Sequence, residues 1–203
     1  IDGLQRKVQN KRSGMASNPS GNTGLPVMIV SGLNTYDCLG RLYRVYYPTT
    51  SAVNTKEQLI RTADLVAPTT YSYDVLDRVT HISFPNSGEY SISYSIDVDN
   101  IGNPSLRTQV IDANGVSNDK YVDAMGREIA NRWDGPDGDI WTSFDYNGVA
   151  ELIASVDAEG NQMRYDYDWL GRKISIAHPD AGLTELVYDP AGNLIKKITE
   201  NIR

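Results

Sequence analysis

Cysteine, histidine, phenylalanine and positive charge are all scarce in this chain, and each shortage removes a class of function. The 203 residues hold one Cys and two His. That argues against a protein-ligated zinc site, which takes three or four Cys, His or carboxylate ligands. Cys38 has no second cysteine to bond, so an intrachain disulfide is excluded and the redox compartment stays open. Lys and Arg number 19 against 26 Asp and Glu, a net charge of -7. No basic stretch offsets that balance, which argues against a nucleic-acid partner. No apolar run approaches the roughly 20 residues of a membrane-spanning helix. A signal-peptide pattern is also missing and the chain opens on Ile1, so it reads as an excerpt of something longer. Gly-x-Ser-x-Gly and a phosphate-binding loop are absent.

What is plentiful is Tyr, Gly, Asn and Asp. There are 13 Tyr against 2 Phe and 3 Trp, and 17 Gly. Tyrosine, with an apolar ring and a polar tip, suits a half-wet surface. The other three favour turns. They fall into a repeat, Asp-x-x-Gly, seen at Asp37–Gly40, Asp112–Gly115, Asp123–Gly126, Asp145–Gly148, Asp157–Gly160, Asp168–Gly171 and Asp189–Gly192. Asp74–Asp77 and Asp2–Gln5 are variants with Asp and Gln in the glycine position. Further turn signals are Pro85–Gly88, Asp97–Gly102, Asp134–Gly138 and Pro179–Gly182. From Asp74 onward a turn starts about every 11 to 12 residues, the spacing of an all-β array of short strands.

The turn has a mechanism. Asp at the first position of a type I turn accepts a backbone N–H, and Gly at the fourth takes φ > 0 on the way into the next strand. Positive φ is expected at Gly40, Gly126, Gly160, Gly171 and Gly192. Between turns, Tyr90-Ser91-Ile92-Ser93-Tyr94-Ser95-Ile96 alternates strictly, as does Arg164-Tyr165-Asp166-Tyr167. Such alternation predicts antiparallel hairpins extending one sheet, apolar on one face and polar on the other. Residues 13–24 and 51–70 break the rhythm and read as loop insertions, with a short helix within Lys56–Asp64. Edge strands are expected near Ile1–Val8 and Leu194–Ile202, where unpaired backbone invites self-association.

Recurrence decides how the acids are read. A catalytic carboxylate is needed once, a turn-capping one in every hairpin. The Arg after the turn (Arg41, Arg78, Arg127, Arg172) is expected to pair with a turn Asp or to cover a Tyr ring of a neighbouring hairpin. Asp97–Gly102 resembles a calcium loop but has Ile101 and Thr108 at ligand positions. Asp134–Asp139 reads as a solvated turn. His81, His178 and Cys38 enter no nucleophile arrangement. No residue is therefore assigned a catalytic, cofactor or metal role, and the chain reads as non-enzymatic.

Tyr36-Asp37-Cys38-Leu39-Gly40-Arg41-Leu42 and Tyr167-Asp168-Trp169-Leu170-Gly171-Arg172-Lys173 resemble the YD repeats of the Rhs family, which includes bacterial Rhs proteins, Tc toxin complex subunits and teneurins. Val122–Arg127 and Tyr188–Asn193 match more loosely, and Val27–Gly32 is similar to a segment that precedes such repeats in secreted Rhs proteins. The resemblance covers nearly all of residues 1–203 and treats them as one repeat domain. It implies a spiralling antiparallel strip, part of a hollow shell that encloses a polypeptide, often a C-terminal toxin domain, in a secreted or cell-surface protein. Two features of the family are not seen: the block ending the shell with its self-cleavage site, and non-repetitive cargo after Arg203. The expected partners are the rest of the parent shell or an enclosed polypeptide. The rival is a carbohydrate- or cell-surface-binding module using exposed Tyr. Even spacing of Tyr71, Tyr73, Tyr90, Tyr94, Tyr121, Tyr146, Tyr165, Tyr167 and Tyr188 favours the wall.

Overall fold

The computed structural model describes residues 1–16, 24–60 and 67–200. It is all-β and antiparallel, in two compact units, 1–92 and 93–203. In the first, β1 (Lys11–Met15), β2 (Pro26–Val30) and β5 (Thr49–Ser51) make a three-stranded sheet in the order β1-β2-β5. The larger sheet begins with β3 (Asn34–Tyr36), β4 (Leu42–Val45), β6 (Thr69–Tyr73), β7 (Val79–Ser83) and the start of β8 (Glu89–Val98). The second unit continues with β9 (Pro104–Ile111), β10 (Ser117–Val122), β11 (Glu128–Gly135), β12 (Gly138–Tyr146) and β13 (Leu152–Val156). β14 (Gln162–Tyr167), β15 (Lys173–His178), β16 (Gly182–Tyr188) and β17 (Leu194–Thr199) complete it. The larger sheet has 14 strands, ordered as they occur in the chain. That is the outcome expected when each strand is followed by a tight turn too short for anything but an antiparallel return.

The turns form as the Asp-x-x-Gly chemistry requires. Gly40, Gly126, Gly160, Gly171 and Gly192 all have positive φ, between 76° and 89°. Gln5 and Asp77 take the same left-handed place at 60° and 62°. Two turns start two residues later than expected. Asn147, not Asp145, heads its turn, and Ala150 rather than Gly148 is left-handed, at 68°. Asp99, not Asp97, heads the other, with Gly102 at 86°. In both cases the strand runs on to a position one before the true turn residue, Tyr146 and Val98. Just before many of these turns the pairing slips by one residue, as between Asp145 and Tyr146 or Asp166 and Tyr167. This is the bulge that accompanies a type I turn with a left-handed fourth residue.

Other expectations are corrected. Ser13 to Met15 belong to β1, not to a loop, while residues 17–23 lie outside the described residues. The short helix lies at Val53–Thr55, not within Lys56–Asp64; residues 56–58 form a turn and bend, and 61–64 lie outside the described residues. Tertiary bonds shape this segment: Lys11 donates to the carbonyls of Thr55 and Gln58, and the Gln9 amide exchanges two bonds with the Ile60 backbone. The edge of the larger sheet is β3, not Ile1–Val8, which holds no strand; Val8 gives only its carbonyl to the Asn34 N–H. The other edge is β17, as expected.

The separation of apolar and polar faces also needs revision. On β8 the serines 91, 93 and 95 do face solvent. On β10 the covered side chains are Ser117, Asp119 and Tyr121, and Asp119 is fully buried.

The corrected turn position makes a paired prediction. Gly171→Ala places a Cβ at φ +76° and is expected to cost about 1–2 kcal/mol. Gly148→Ala, with ordinary φ and open space around its Cβ, is expected to be neutral or stabilising by up to about 1 kcal/mol. Urea midpoints of the two variants check it; equal losses would restore the turn to Asp145.

Candidate functional site

The recurring chemical unit of the chain is built, among the described residues, at five of these turns. At Asp123 the carboxylate Oδ1 accepts the N–H groups of Met125 (2.8 Å) and Arg127 (2.9 Å). Oδ2 accepts the Arg127 guanidinium through Nε at 2.7 Å and Nη2 at 2.6 Å. The same fork joins Asp2 to Arg6, Asp37 to Arg41, Asp74 to Arg78 and Asp168 to Arg172. The guanidinium then serves a second purpose. Arg127 Cζ lies 5.0 Å from the Tyr146 ring centroid, and the Tyr146 hydroxyl donates to the carbonyl of Glu128, the residue after that Arg, at 2.9 Å. Arg6 with Tyr36, Arg41 with Tyr73 and Arg172 with Tyr188 repeat both contacts, the hydroxyls reaching the carbonyls of Lys7, Leu42 and Lys173. Pairing and ring-covering, expected as alternatives, are met by one side chain.

The unit tolerates substitution that keeps the acceptor. Asn147 caps its turn with its amide oxygen and donates its amide nitrogen to Glu151 at 2.7 Å, so donor and acceptor have exchanged places along the sequence. Tyr167 still donates to the carbonyl after Glu151, that of Leu152. Hydrogen bonding holds the Asp123 carboxyl below its ordinary range. The Arg127 N–H is the largest cause, partial desolvation opposes it, and the guanidinium and the Met125 N–H add to the lowering.

A second cluster lies away from the turns and was not foreseen. Across β8 to β12 charges alternate: Asp97, Arg107, Asp119, Arg132, Asp139. Arg107 bonds Asp97 at 2.8 Å and Asp119 at 2.7 Å. Arg132 bonds Asp119 at 2.5 Å and Asp139 at 3.2 Å. Ser117 adds a 3.0 Å hydrogen bond to Asp119, and Tyr121 packs against Trp141 beside it. Asp97, considered as a calcium ligand, is thus committed to Arg107, while Asp99 accepts the N–H groups of Ile101 and Asn103. Asp139, assigned to a solvated turn, pairs with Arg132. Nothing in linear spacing announces this ladder, because it depends on which residues face one another across strands. The one available signal is a charged residue among small inward neighbours: Arg107 near Ser105, Asp119 near Ser117, Arg132 near Ala130.

His178 accepts the N–H groups of Asp180 and Ala181 at its own turn, and His81 Nε2 lies 3.3 Å from Glu89. Cys38 is exposed on a turn. Among the described residues no three His, Cys, Asp or Glu side chains converge as a metal site. In the first unit a cavity of about 490 Å³ lies beside Asp2, Lys11 and Glu57, but the Lys11 ammonium is engaged by two carbonyls there.

No protein-family profile matches the sequence. One curated protein, double-stranded DNA deaminase toxin A of Burkholderia cenocepacia, is 39% identical over 59 residues, which is 29% of this chain and 4% of that protein. The fold is found in the TcdB2-TccC3 crystal structure, with a TM-score of 0.66 and 19% identity over 95% of this chain. It recurs in the Photorhabdus luminescens Tc holotoxin pore, with a TM-score of 0.68 and 18% identity over 98%. The chain spans 11% of the length of each of those two chains. All-β hairpin array is therefore the class that fold and turn chemistry together define.

Two predictions test the site. Asp119→Ala removes the buried carboxylate that two arginines share and is expected to cost about 3 kcal/mol, whereas Asp137→Ala, on an exposed turn, is expected to change stability by less than about 0.5 kcal/mol. Chemical denaturation of both variants checks it. The depressed turn carboxyls contribute stability that is present above the unfolded value near pH 3.9 and is lost as pH falls through the lower folded value. Thermal midpoints are thus expected to drop below about pH 4. In Asp123→Asn the turn survives, as at Asn147, and the acid-induced drop is shallower than in the parent chain.

Proposed function

We propose that this chain is a non-enzymatic wall segment of a YD-repeat shell in a secreted or cell-surface protein, where the array curves around an enclosed polypeptide such as a toxin domain. The supporting observation is the Asp–Arg–Tyr staple, which among the described residues recurs at four places along a sheet whose strands follow chain order. The shared fold with the Tc holotoxin structure agrees with it. So does the partial match to a protein named as a toxin. Deamination does not transfer with that match: zinc deaminases hold their metal with His and two Cys, or three Cys, and this chain has Cys38 alone. Net charge of -7 speaks against nucleic acid as a ligand of the segment.

The glycan reading asks for open aromatic faces. Tyr36, Tyr73, Tyr146 and Tyr188 each have a guanidinium over the ring and a hydroxyl already donated. That leaves them poor platforms for a sugar.

The test is electron cryomicroscopy of the complete reading frame that carries these residues, with limited proteolysis alongside. Expected is a hollow wall containing this sheet and a protease-resistant polypeptide inside, which becomes cleavable in Asp119→Ala. A sheet that encloses nothing, or a chain that binds a glycan array through its tyrosines, overturns the wall.

A further inference from the structure

In the second unit, alternate turns of the antiparallel sheet share an edge. The turns after β8, β10, β12, β14 and β16 line one edge; those after β9, β11, β13 and β15 line the other. The central residues on the first edge are Asn100-Ile101, Ala124-Met125, Gly148-Val149, Trp169-Leu170 and Pro190-Ala191. None is charged. Ile101, Met125, Val149, Trp169 and Leu170 expose 55% to 90% of their surface. The opposite edge has Ala113-Asn114, Pro136-Asp137, Ala158-Glu159 and Pro179-Asp180-Ala181, with no large apolar side chain and a carboxylate on three of its four turns.

Turn chemistry does not ask for this difference. On the apolar edge it is the backbone N–H of Ile101, Met125, Val149 and Leu170 that bonds the capping side chain. Asn114 and Glu159 make the same bond with polar side chains. The apolar tips therefore serve something outside the hairpins, and an exposed apolar row is the mark of an interaction surface.

We propose that this ridge of turn tips is an interface for a second copy of the chain, docked ridge to ridge about a two-fold axis. Two features select that occupant. The tips recur every second strand, about 9.5 Å apart, and a second copy is a partner with the same period, so its tips fall between them. The five side chains offer on the order of 800 Å², the contribution of one partner to a standard interface. This goes beyond the wall reading and does not need it.

The test is sedimentation velocity of the 203-residue chain across a concentration series. The parent chain is expected to reach a dimer at tens of micromolar. In Met125→Ser/Trp169→Ser the dissociation constant is expected to rise at least tenfold with an unchanged far-UV spectrum. Ile195→Lys on the edge strand β17, the site where strand pairing would occur, is expected to leave it unchanged. If the double variant loses its fold, Trp169→Ser alone is expected to weaken the dimer at least threefold. A parent chain monomeric throughout, ridge variants that dimerise like the parent, or a dimer abolished by Ile195→Lys overturns the proposal.

Discussion

The fork between a turn carboxylate and the arginine four residues on is the contact on which the rest of the sheet depends. It satisfies two amides of a tight turn, so the reversal needs no apolar support. It also fixes the guanidinium in a plane, ready to lie over the tyrosine of the next Tyr-bearing turn. Guanidinium–carboxylate forks of this kind are geometrically strict. Lysine, a point charge on a flexible stem, offers neither the fork nor the flat face. That explains why Arg occupies the position after Gly40, Asp77, Gly126 and Gly171 and lysine does not.

Little else is available to hold the chain together. The buried apolar side chains among the described residues are Met28, Val30, Tyr121, Ala130 and Ala154. So small a set cannot organise a sheet of this width as a single hydrophobic core. Stability must instead come from ladder hydrogen bonds and contacts between neighbouring hairpins, the nearest-neighbour energetics of repeat proteins. The tyrosine hydroxyls belong to this account. Each donates to a carbonyl just beyond the preceding arginine, so ring and hydroxyl tie one hairpin to the next in a fixed register.

Legibility in the sequence followed the locality of the cause. Turns with Asp first and Gly fourth were placed correctly at Asp37, Asp123, Asp168 and Asp189, since the bonds involved lie within five residues. The turn at Asn147 was misplaced because Gly148 falls three residues after Asp145, while the real left-handed residue, Ala150, carries no glycine signal. Ser13 to Met15 read as a loop in the sequence, because Lys11-Arg12-Ser13-Gly14-Met15 has no apolar alternation and is a strand only through its pairing with β2. The charged ladder was invisible for the same kind of reason: Arg107 and Asp119 are 12 residues apart, and only the β9–β10 register brings them together.

That ladder occupies the part of the array where the staple is interrupted. Val98 and Val122 stand immediately before Asp99 and Asp123, in the place held by tyrosine before Asp37, Asp74, Asn147, Asp168 and Asp189, and the turn at Asp99 has Asn103 where those at Asp37, Asp74, Asp123 and Asp168 have arginine. No guanidinium at that turn and no phenol at the next means that the hairpin β8–β9 and the hairpin β10–β11 are not tied at their turns. Asp97, Arg107, Asp119, Arg132 and Asp139 cross those same strands on one face, five alternating charges bonded in series. A partly buried ionic row is a weak source of net stability but a strict one of register, since a slip of one residue would send Asp119 to the other face and leave Arg107 and Arg132 with their outer carboxylates alone. The two arrangements therefore perform one task by different means: where the turn contact is missing, the register is held from within the strands.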